Sequence, residues 1–524
     1  MKVLVWTPDY RLSSGGVRLM HYLCHCLNEV GYKAYTNAKI TNPDWNTPYL
    51  EKPDDDTIVI YPEIVSGNPL QAKYYVYYML NIPGKIAGDK VYPDDIVAIG
   101  NWPFWEDEFR KAAKNYKGII TLGLIDTNVF YYDNAKKFRN LLFIYKGGDL
   151  RSDFKFENED KMELITGKTP LKEFSQMLKE TETLYTYDEY SGLNYEAYLC
   201  GCKIMMMGKD GVPFEWKPDP EFLKAVCRDD EKGKKQAARI MEIILKDIRL
   251  KELLKEPRMN IPDYHELDNE LNGLHDLIDK YVKPDFQIIE IGSFMGASTE
   301  LFALHCENGD VISIDPYTSC EDQKGFVALE KAEEEFVKRM GYYTNVTKIK
   351  KTSKEASKEI LDKSIDLVYI DANHSYGNIV EDINLWLPKV KENGYIAGHD
   401  YALRQEGVFK AVRELLGYPE TFSDSSWIIR KRDIKMTLFQ IADKYGCDKS
   451  PKYLHNYIDT YSELLEPKKN EVKKVLEIGI GFPEQTPHNP KCAFGASIYM
   501  WRDYFPNAEI YAIDIDGSHL INED

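Results

Sequence analysis

Two stretches of the chain carry one signature: "IIEIGSFMGAST" from Ile288 and "VLEIGIGFPEQTPHNPKCAFGAS" from Val475. Each is an apolar run that ends in an acid, then a glycine, then a helix-forming segment. A glycine turn between a buried strand and a helix belongs to parallel sheets whose two faces are both covered. Such a sheet gathers its loops at the carboxyl ends of its strands, where ligands bind. The repeat therefore calls for at least two α/β units and leaves the residues before Ile288 to be explained.

At 524 residues the chain exceeds one core, and about three domains are expected. Hydrophobic residues make up 43%, enough for several cores. A formal net charge of −18 disfavours a non-specific nucleic-acid binder, which needs a basic footprint. The start, "MKVLVWTPDY", lacks the apolar centre of a signal peptide, and no apolar run approaches a membrane span. The nine cysteines include two C-x-C pairs without partners at zinc-site spacing, so they read as free thiols in a reducing cytoplasm (the host's, if the source is a virus). The 37 tyrosines suit carbohydrate-contacting surfaces.

Short strands alternating with helices predict α/β structure over residues 1–235, in subdomains of about 1–115 and 116–235. A charged helical linker is expected over 236–261, a complete α/β unit over 262–431 and the beginning of another over 435–524. Two strands do not complete an open sheet, so the last unit is expected to be partial and catalytically incomplete.

In the complete unit Gly292 and Gly296 permit close backbone approach to a ligand at a helix start. The next strand, "DVISIDPYT", ends in Asp315, where such folds grip a ribose diol. "SIDLVYIDANHSY" ends in Asp371, followed by Asn373, His374 and Tyr376, and "VKENGYIAGHDY" ends in His399 and Asp400. Asp371 and Asp400 are hard oxygen ligands suited to a divalent cation, and His374 and His399 are candidate general bases. These four signatures in order resemble class I S-adenosylmethionine-dependent methyltransferases of the small-molecule O-methyltransferase group. The resemblance implies that Glu290, Gly292 and Gly296 line the methionine end of the cofactor and that Asp315 holds its ribose. It puts a metal, Mg²⁺ in the simplest case, on Asp371, His399 and Asp400. The catechol-type pattern has Asp-Asn where this chain has "HD".

The second copy repeats the acid and glycines as Glu477, Gly479 and Gly481, with Asp514 or Asp516 as the ribose acid. Its preceding segment, "ADKYGCDKSPKYLHNYIDTY", resembles macrocin-like sugar O-methyltransferases. That implies a second S-adenosylmethionine site on Glu477, Gly479 and Asp514.

Before both copies, "SSGGVRLMHYLCHCL" gives a strand–glycine–helix junction with Gly15 and Gly16. Glu63, a candidate catalytic carboxylate, follows a strand, with Asn68 and Lys73 beyond it. Lys146, Gly147, Gly148 and Arg151 suit a diphosphate, and Ser191, Asn194 and Glu196 mark another strand–helix junction. This half resembles glycosyltransferases of the two-subdomain GT-B architecture. By that resemblance Glu196 contacts a donor ribose, Lys146 neutralises the departing diphosphate, and Gly15 and Gly16 lie against donor phosphates or acceptor.

Joined, these expectations describe a bifunctional enzyme that transfers a sugar from a nucleotide-sugar donor to a glycan acceptor and methylates a sugar hydroxyl. The product would be a surface polysaccharide or glycoprotein glycan. Homodimerisation, through a sheet edge or the helical segment, is open. The alternatives are a natural-product O-methyltransferase whose N-terminal domain is not a glycosyltransferase, and a scaffold with decayed sites.

Overall fold

The computed structural model describes residues 1–11, 14–144, 148–165, 171–188, 191–256, 271–318, 329–450, 455–480 and 495–515. They divide into two compact units, Met1–Arg249 and Leu250–Asp524.

The first unit holds two sheets. One comprises β1 (Lys2–Val5), β2 (Ala34–Thr36), β3 (Thr57–Pro62), β4 (Tyr74–Met79), β5 (Ala98–Gly100) and β6 (Tyr116–Ile119), all parallel, in the order 2-1-3-4-5-6. β3, "TIVIYP", is buried at every position, as a central strand covered on both faces must be. The other comprises β7 (Arg139–Phe143), β8 (Glu163–Leu164), β9 (Thr181–Thr186), β10 (Lys203–Met207) and β11 (Pro213–Glu215), in the order 11-10-9-7-8 with only β11 antiparallel. The expected linker is different in kind. Helix Asp230–Leu253 begins well inside the first unit and buries Ala237, Ile240, Met241, Ile244 and Ile248 in the core beneath β1 and β3. Its apolar stripe is a packing face, so the first unit runs past residue 235 to Arg249.

Part of the tyrosine content is interior. Tyr22, Tyr61, Tyr77, Tyr78 and Tyr92 are buried here, and the Tyr78 hydroxyl donates to the Ile120 carbonyl at 2.7 Å. The cysteines behave likewise: burial pushes the thiols of Cys200 and Cys202 up to about 12 and about 11. Such thiols are packing groups rather than nucleophiles.

The second unit is built on β12 (Gln287–Ile291), β13 (Asp310–Ile314), β14 (Val346–Ile349), β15 (Ile365–Ile370), β16 (Val390–Gly398), β17 (Glu420–Thr421) and β18 (Trp427–Arg430). Their order is 14-13-12-15-16-18-17: five parallel strands in the doubly wound 3-2-1-4-5 order, extended by the antiparallel pair β18 and β17. Beyond it, β19 (Lys474–Ile478) and β20 (Glu509–Ile513) form a parallel pair. Helices Leu438–Tyr445, Ile458–Leu465 and Ala496–Tyr504 pack in a small core of their own around Met500 and Tyr504. Among the described residues no helix is long and apolar enough to cross a membrane.

One buried acid in this unit gives the fold a pH dependence. Asp382 is 6% exposed and accepts from the Ser353 hydroxyl, and burial pushes its carboxyl up to about 6. The folded state thus holds this proton more tightly than the unfolded chain, whose carboxyl titrates near 4. Stability from this group is greatest below about pH 4 and falls as the pH rises through about 6. Asp382→Asn keeps an acceptor for Ser353 and removes the buried charge. It is expected to stabilise the unit by about 1–3 kcal/mol at pH 7.5 and to leave stability at pH 4 nearly unchanged, as read by urea denaturation at both values.

Candidate active site

The sheet register assembles the site. Ile291 of β12 pairs with Ile314 of β13 on one side and Ile370 of β15 on the other, and Ile370 pairs with Gly398 of β16. The residues one step further along are Gly292, Asp315, Asp371 and His399. Hydrogen bonds carry the ladder past the strand ends: Gly292 N–H to Ile314 O at 2.9 Å, Asp371 N–H to Ile291 O at 2.8 Å and His399 N–H to Ile370 O at 3.1 Å. The sequence-predicted residues therefore stand side by side along one carboxyl edge.

Gly292 has φ +85°, and a Cβ there would lie 2.2 Å from the Asp371 carbonyl oxygen. Gly296, at φ +81°, is the N-cap of helix Ala297–His305, and a Cβ there would meet the Phe336 ring at 2.8 Å. Asp315 accepts the Ser293 and Phe294 N–H groups on Oδ2 at 3.1 and 3.0 Å and the Tyr317 N–H on Oδ1 at 2.7 Å. It is thus as much a brace for the glycine turn as a ligand group. Glu290 is fully buried and accepts from the Thr299 hydroxyl, so its carboxylate lies under the turn and ties strand to helix.

Four titratable groups meet beside the turn. His374 Nε2 lies 3.0 Å from Asp400 Oδ2 and 3.7 Å from Asp371 Oδ1. His399 Nδ1 lies 3.4 Å from Asp400 Oδ2 and 4.0 Å from Asp371 Oδ1. Asp400 has φ +61°, a left-handed conformation that turns its carboxylate back onto both imidazoles. A non-glycine residue held there marks a site that the surrounding structure over-determines. His399 and Asp400 are buried, while Asp371 and His374 are partly open to solvent.

The tightest set of ligand atoms is Asp371, His374 and Asp400, all within 4.8 Å of one another. His374 joins the expected metal set of Asp371, His399 and Asp400, because the loop after β15 folds it inward, with His399 at 3.4 Å from Asp400 on the other side. Two carboxylates and an imidazole fit a divalent cation. The imidazole makes Mn²⁺ or Zn²⁺ a better match than Mg²⁺, which prefers oxygen throughout. The loop is held by Gly407, where a Cβ would lie 2.3 Å from the His374 carbonyl oxygen. That glycine was missed in sequence because nothing local marks it. Asn373 accepts the Ser375 N–H and Tyr376 donates to Glu414 at 2.5 Å, so both shape the loop.

The second copy has the same local construction. Ile480 N–H donates to Asp514 Oδ2 at 2.7 Å, as Ser293 does to Asp315, and Gly479 has φ +83°. Glu477 pairs with Lys449 at 2.9 Å where Glu290 meets a threonine. Gly481 and Asp516 lie outside the described residues.

In the first unit a cavity of about 580 Å³ opens at the carboxyl ends of both sheets, lined after β1 by Pro8, after β3 by Glu63, after β4 by Asn81 and after β9 by Asp188. Much of its wall is apolar, including Leu80, Trp102, Phe104, Leu124, Phe174 and Phe222. Gly15, Gly16, Ser191 and Glu196 also line it, but several expected contacts are otherwise engaged. Glu196 makes a buried ion pair with Arg18 at 2.8 Å, and Ser191 caps its helix by accepting the Leu193 N–H. Glu63 accepts the Leu80 N–H at 2.8 Å, and Arg151 pairs with Glu159 at 2.7 Å. Among the described residues a Cβ on Gly15 or Gly16 would touch leucine methyls at 3.4 and 3.5 Å, which is ordinary contact. Lys146 and Gly147 lie outside the described residues.

Because Arg18 and Glu196 are shielded, Glu196→Ala strands a buried guanidinium. It is expected to destabilise the first unit by about 3 kcal/mol, with stability regained in Arg18→Met/Glu196→Leu. Chemical denaturation of the three proteins reads this directly, and a Glu196→Ala protein as stable as wild type would return the carboxylate to a ligand-binding part.

Residues 289–401, which span the whole cluster from Glu290 to Asp400, match a family described as a methyltransferase domain. This segment is a Rossmann-like α/β methyltransferase domain. The chain is 33% identical over 132 residues to an uncharacterized protein, R132, of Acanthamoeba polyphaga mimivirus, covering 24% of this chain and 57% of that one. It is 33% identical over 89 residues to mycinamicin VI 2''-O-methyltransferase of Micromonospora griseorubida, covering 16% of this chain and 20% of that one. The matches thus span only part of these relatives' own length. A putative O-methyltransferase from Klebsiella pneumoniae superposes on 34% of this chain and 88% of its own, at 15% identity and a TM-score of 0.26, too distant to bear on function. The expected glycosyltransferase in residues 1–235 gains no support from these likenesses.

Proposed function

We propose that the second unit transfers a methyl group from S-adenosylmethionine to a hydroxyl of a small molecule or sugar. The observation that carries this reading is the convergence, on one sheet edge, of the Gly292–Gly296 turn, Asp315 and the Asp371–His374–His399–Asp400 cluster. A sulfonium methyl donor supplies an already activated leaving group, so the protein's work is positioning and proton management. Gly292 and Gly296, both at positive φ, bend the backbone sharply between strand and helix, which suits the close seating of a cofactor. Asp315 has a second oxygen to share with a diol while its backbone bonds hold the turn. His374 or His399 would take the hydroxyl proton, with Asp371 and Asp400 stabilising the resulting imidazolium. If a divalent cation sits on Asp371, His374 and Asp400 instead, it would lower the acidity barrier of that hydroxyl. The name of the mycinamicin enzyme, a 2''-O-methyltransferase, supports an oxygen of a small molecule as acceptor.

Asp315→Ala is expected to weaken S-adenosylhomocysteine binding by about 10–100-fold in a calorimetric titration, through lost buried hydrogen bonds. Unchanged affinity would remove the sheet edge as the cofactor site. The cavity of the first unit is no part of this proposal. Nucleotide-sugar binding there rests on its position at two switch-point crevices alone, and its apolar wall favours a less polar ligand.

A further inference from the structure

A second histidine–carboxylate group lies away from the sheet edge just described. His275 and Asp279 are four residues apart on helix Asn272–Tyr281 and so share one face. His305 ends helix Ala297–His305 and faces them. Asp279 Oδ1 is 3.2 Å from His305 Nε2, and Asp279 Oδ2 is 3.7 Å from His275 Nε2. The three ligand atoms lie within 4.8 Å of one another, and the two imidazole rings are tilted at 68° with centroids 5.4 Å apart.

The state of His305 is informative. Its Nδ1 lies 2.8 Å from the Leu301 carbonyl oxygen, which must be met by an N–H. In the neutral ring that leaves a lone pair on Nε2, pointed at a carboxylate oxygen. At 3.2 Å from the Asp279 oxygen, Nε2 is placed either to donate a proton to it or to share a metal ion with it. A histidine whose other nitrogen donates to a backbone carbonyl is the usual arrangement of a metal ligand, because that bond fixes the tautomer and the ring direction.

We propose that His275, Asp279 and His305 bind a divalent transition metal of the zinc class. Tetrahedral sites with bonds of about 2.0–2.1 Å separate their ligand atoms by about 3.3–3.4 Å. Each imidazole lies near that distance from one oxygen of the Asp279 carboxylate, His305 at 3.2 Å from Oδ1 and His275 at 3.7 Å from Oδ2, and a small rotation of the carboxylate would bring the set onto one ion. Two nitrogen donors select against Mg²⁺ and Ca²⁺, which take oxygen. Both imidazoles are about one-fifth exposed and Asp279 more so, which gives an ion a way in and leaves a coordination position for water. Helix Ala297–His305 carries the glycine turn of the methyltransferase site at its start and this group at its end, about 13 Å apart. The ion would clasp the helix that precedes β12 to the helix that follows it, and its part is structural.

The test is a Zn²⁺ titration by calorimetry on the full chain stripped of metal, compared with His275→Ala/His305→Ala and with His374→Ala/Asp400→Ala. The second variant removes the other candidate cation site. Wild type is expected to take up one equivalent that His275→Ala/His305→Ala lacks and His374→Ala/Asp400→Ala keeps. A melting rise of roughly 5–10 °C at a hundredfold excess over Kd should vanish with it. Equal zinc uptake by wild type and His275→Ala/His305→Ala overturns the proposal. Should that variant fail to fold, Asp279→Asn keeps both rings, and zinc affinity within about twofold of wild type in it would overturn the proposal equally.

Discussion

Asp371→Asn and Asp400→Asn are each expected to lower kcat for methyl transfer by about 10²–10⁴-fold. Binding of S-adenosylhomocysteine should change by less than about threefold, because neither substitution touches the glycine turn. Asp400 Oδ2 lies 3.0 Å from His374 and 3.4 Å from His399, so its charge supports either imidazole as a base. Asp371 stands further from both, at 3.7 and 4.0 Å, and faces the more open side of the cluster. The amide keeps the shape and the hydrogen-bonding reach but loses the charge that stabilises an imidazolium or holds a cation. Two outcomes separate those uses. Turnover abolished by a chelator and restored by Mn²⁺ or Zn²⁺ assigns the carboxylates to a metal. Turnover indifferent to chelator assigns them to the imidazoles, and His374→Ala against His399→Ala then identifies the base. A kcat within about threefold of wild type in both amide variants would remove the cluster from the chemistry.

How much of this was legible in the sequence depends on how local the signal is. The β12 turn announces itself, because an apolar run, an acid and two glycines fall within nine residues, from Ile288 to Gly296. Asp315, Asp371, His399 and Asp400 were legible because each ends a strand and a parallel sheet brings strand ends together. What sequence left hidden depends on loop closure. His374 enters the ligand set only because the loop after β15 folds back, held by Gly407 from a later helix. His275 and Asp279 show helical spacing, but their meeting with His305 needs two helices packed together. In the first unit the glycine pair at 15 and 16 and Glu196 looked like ligand groups. Three-dimensional packing gave the glutamate a partner, Arg18, that lies far from it in sequence. The charged stretch from residue 236 looked like a linker because its apolar stripe is narrow and its charges are many. The stripe nonetheless fills the core under β1 and β3.

Gly292→Ala should be the most damaging single methyl at the sheet edge that carries the site. The backbone at φ +85° already disfavours any side chain, by about 1–2 kcal/mol. The added Cβ would lie 2.2 Å from the Asp371 carbonyl oxygen and 2.7 Å from the Ala372 Cα. Neither is the flexible end of a side chain. Asp371 cannot retreat without breaking its N–H bond to Ile291 at 2.8 Å, and β15 is fixed on its other side by the His399 N–H bond to Ile370. The strands must part at their carboxyl ends, which carries Asp371 away from Asp400 and opens the glycine turn. The expected loss is about 2–4 kcal/mol of stability, with S-adenosylhomocysteine affinity reduced more than about tenfold and kcat reduced with it. Gly479→Ala supplies the internal comparison. Its φ is +83°, yet among the described residues a Cβ there would meet no atom within 4 Å, so the backbone term of about 1 kcal/mol is the cost expected. If Gly292→Ala and Gly479→Ala melt together and bind cofactor alike, close approach of β12 to β15 is not what the first glycine provides, and the assembly of the site from adjoining strand ends fails with it.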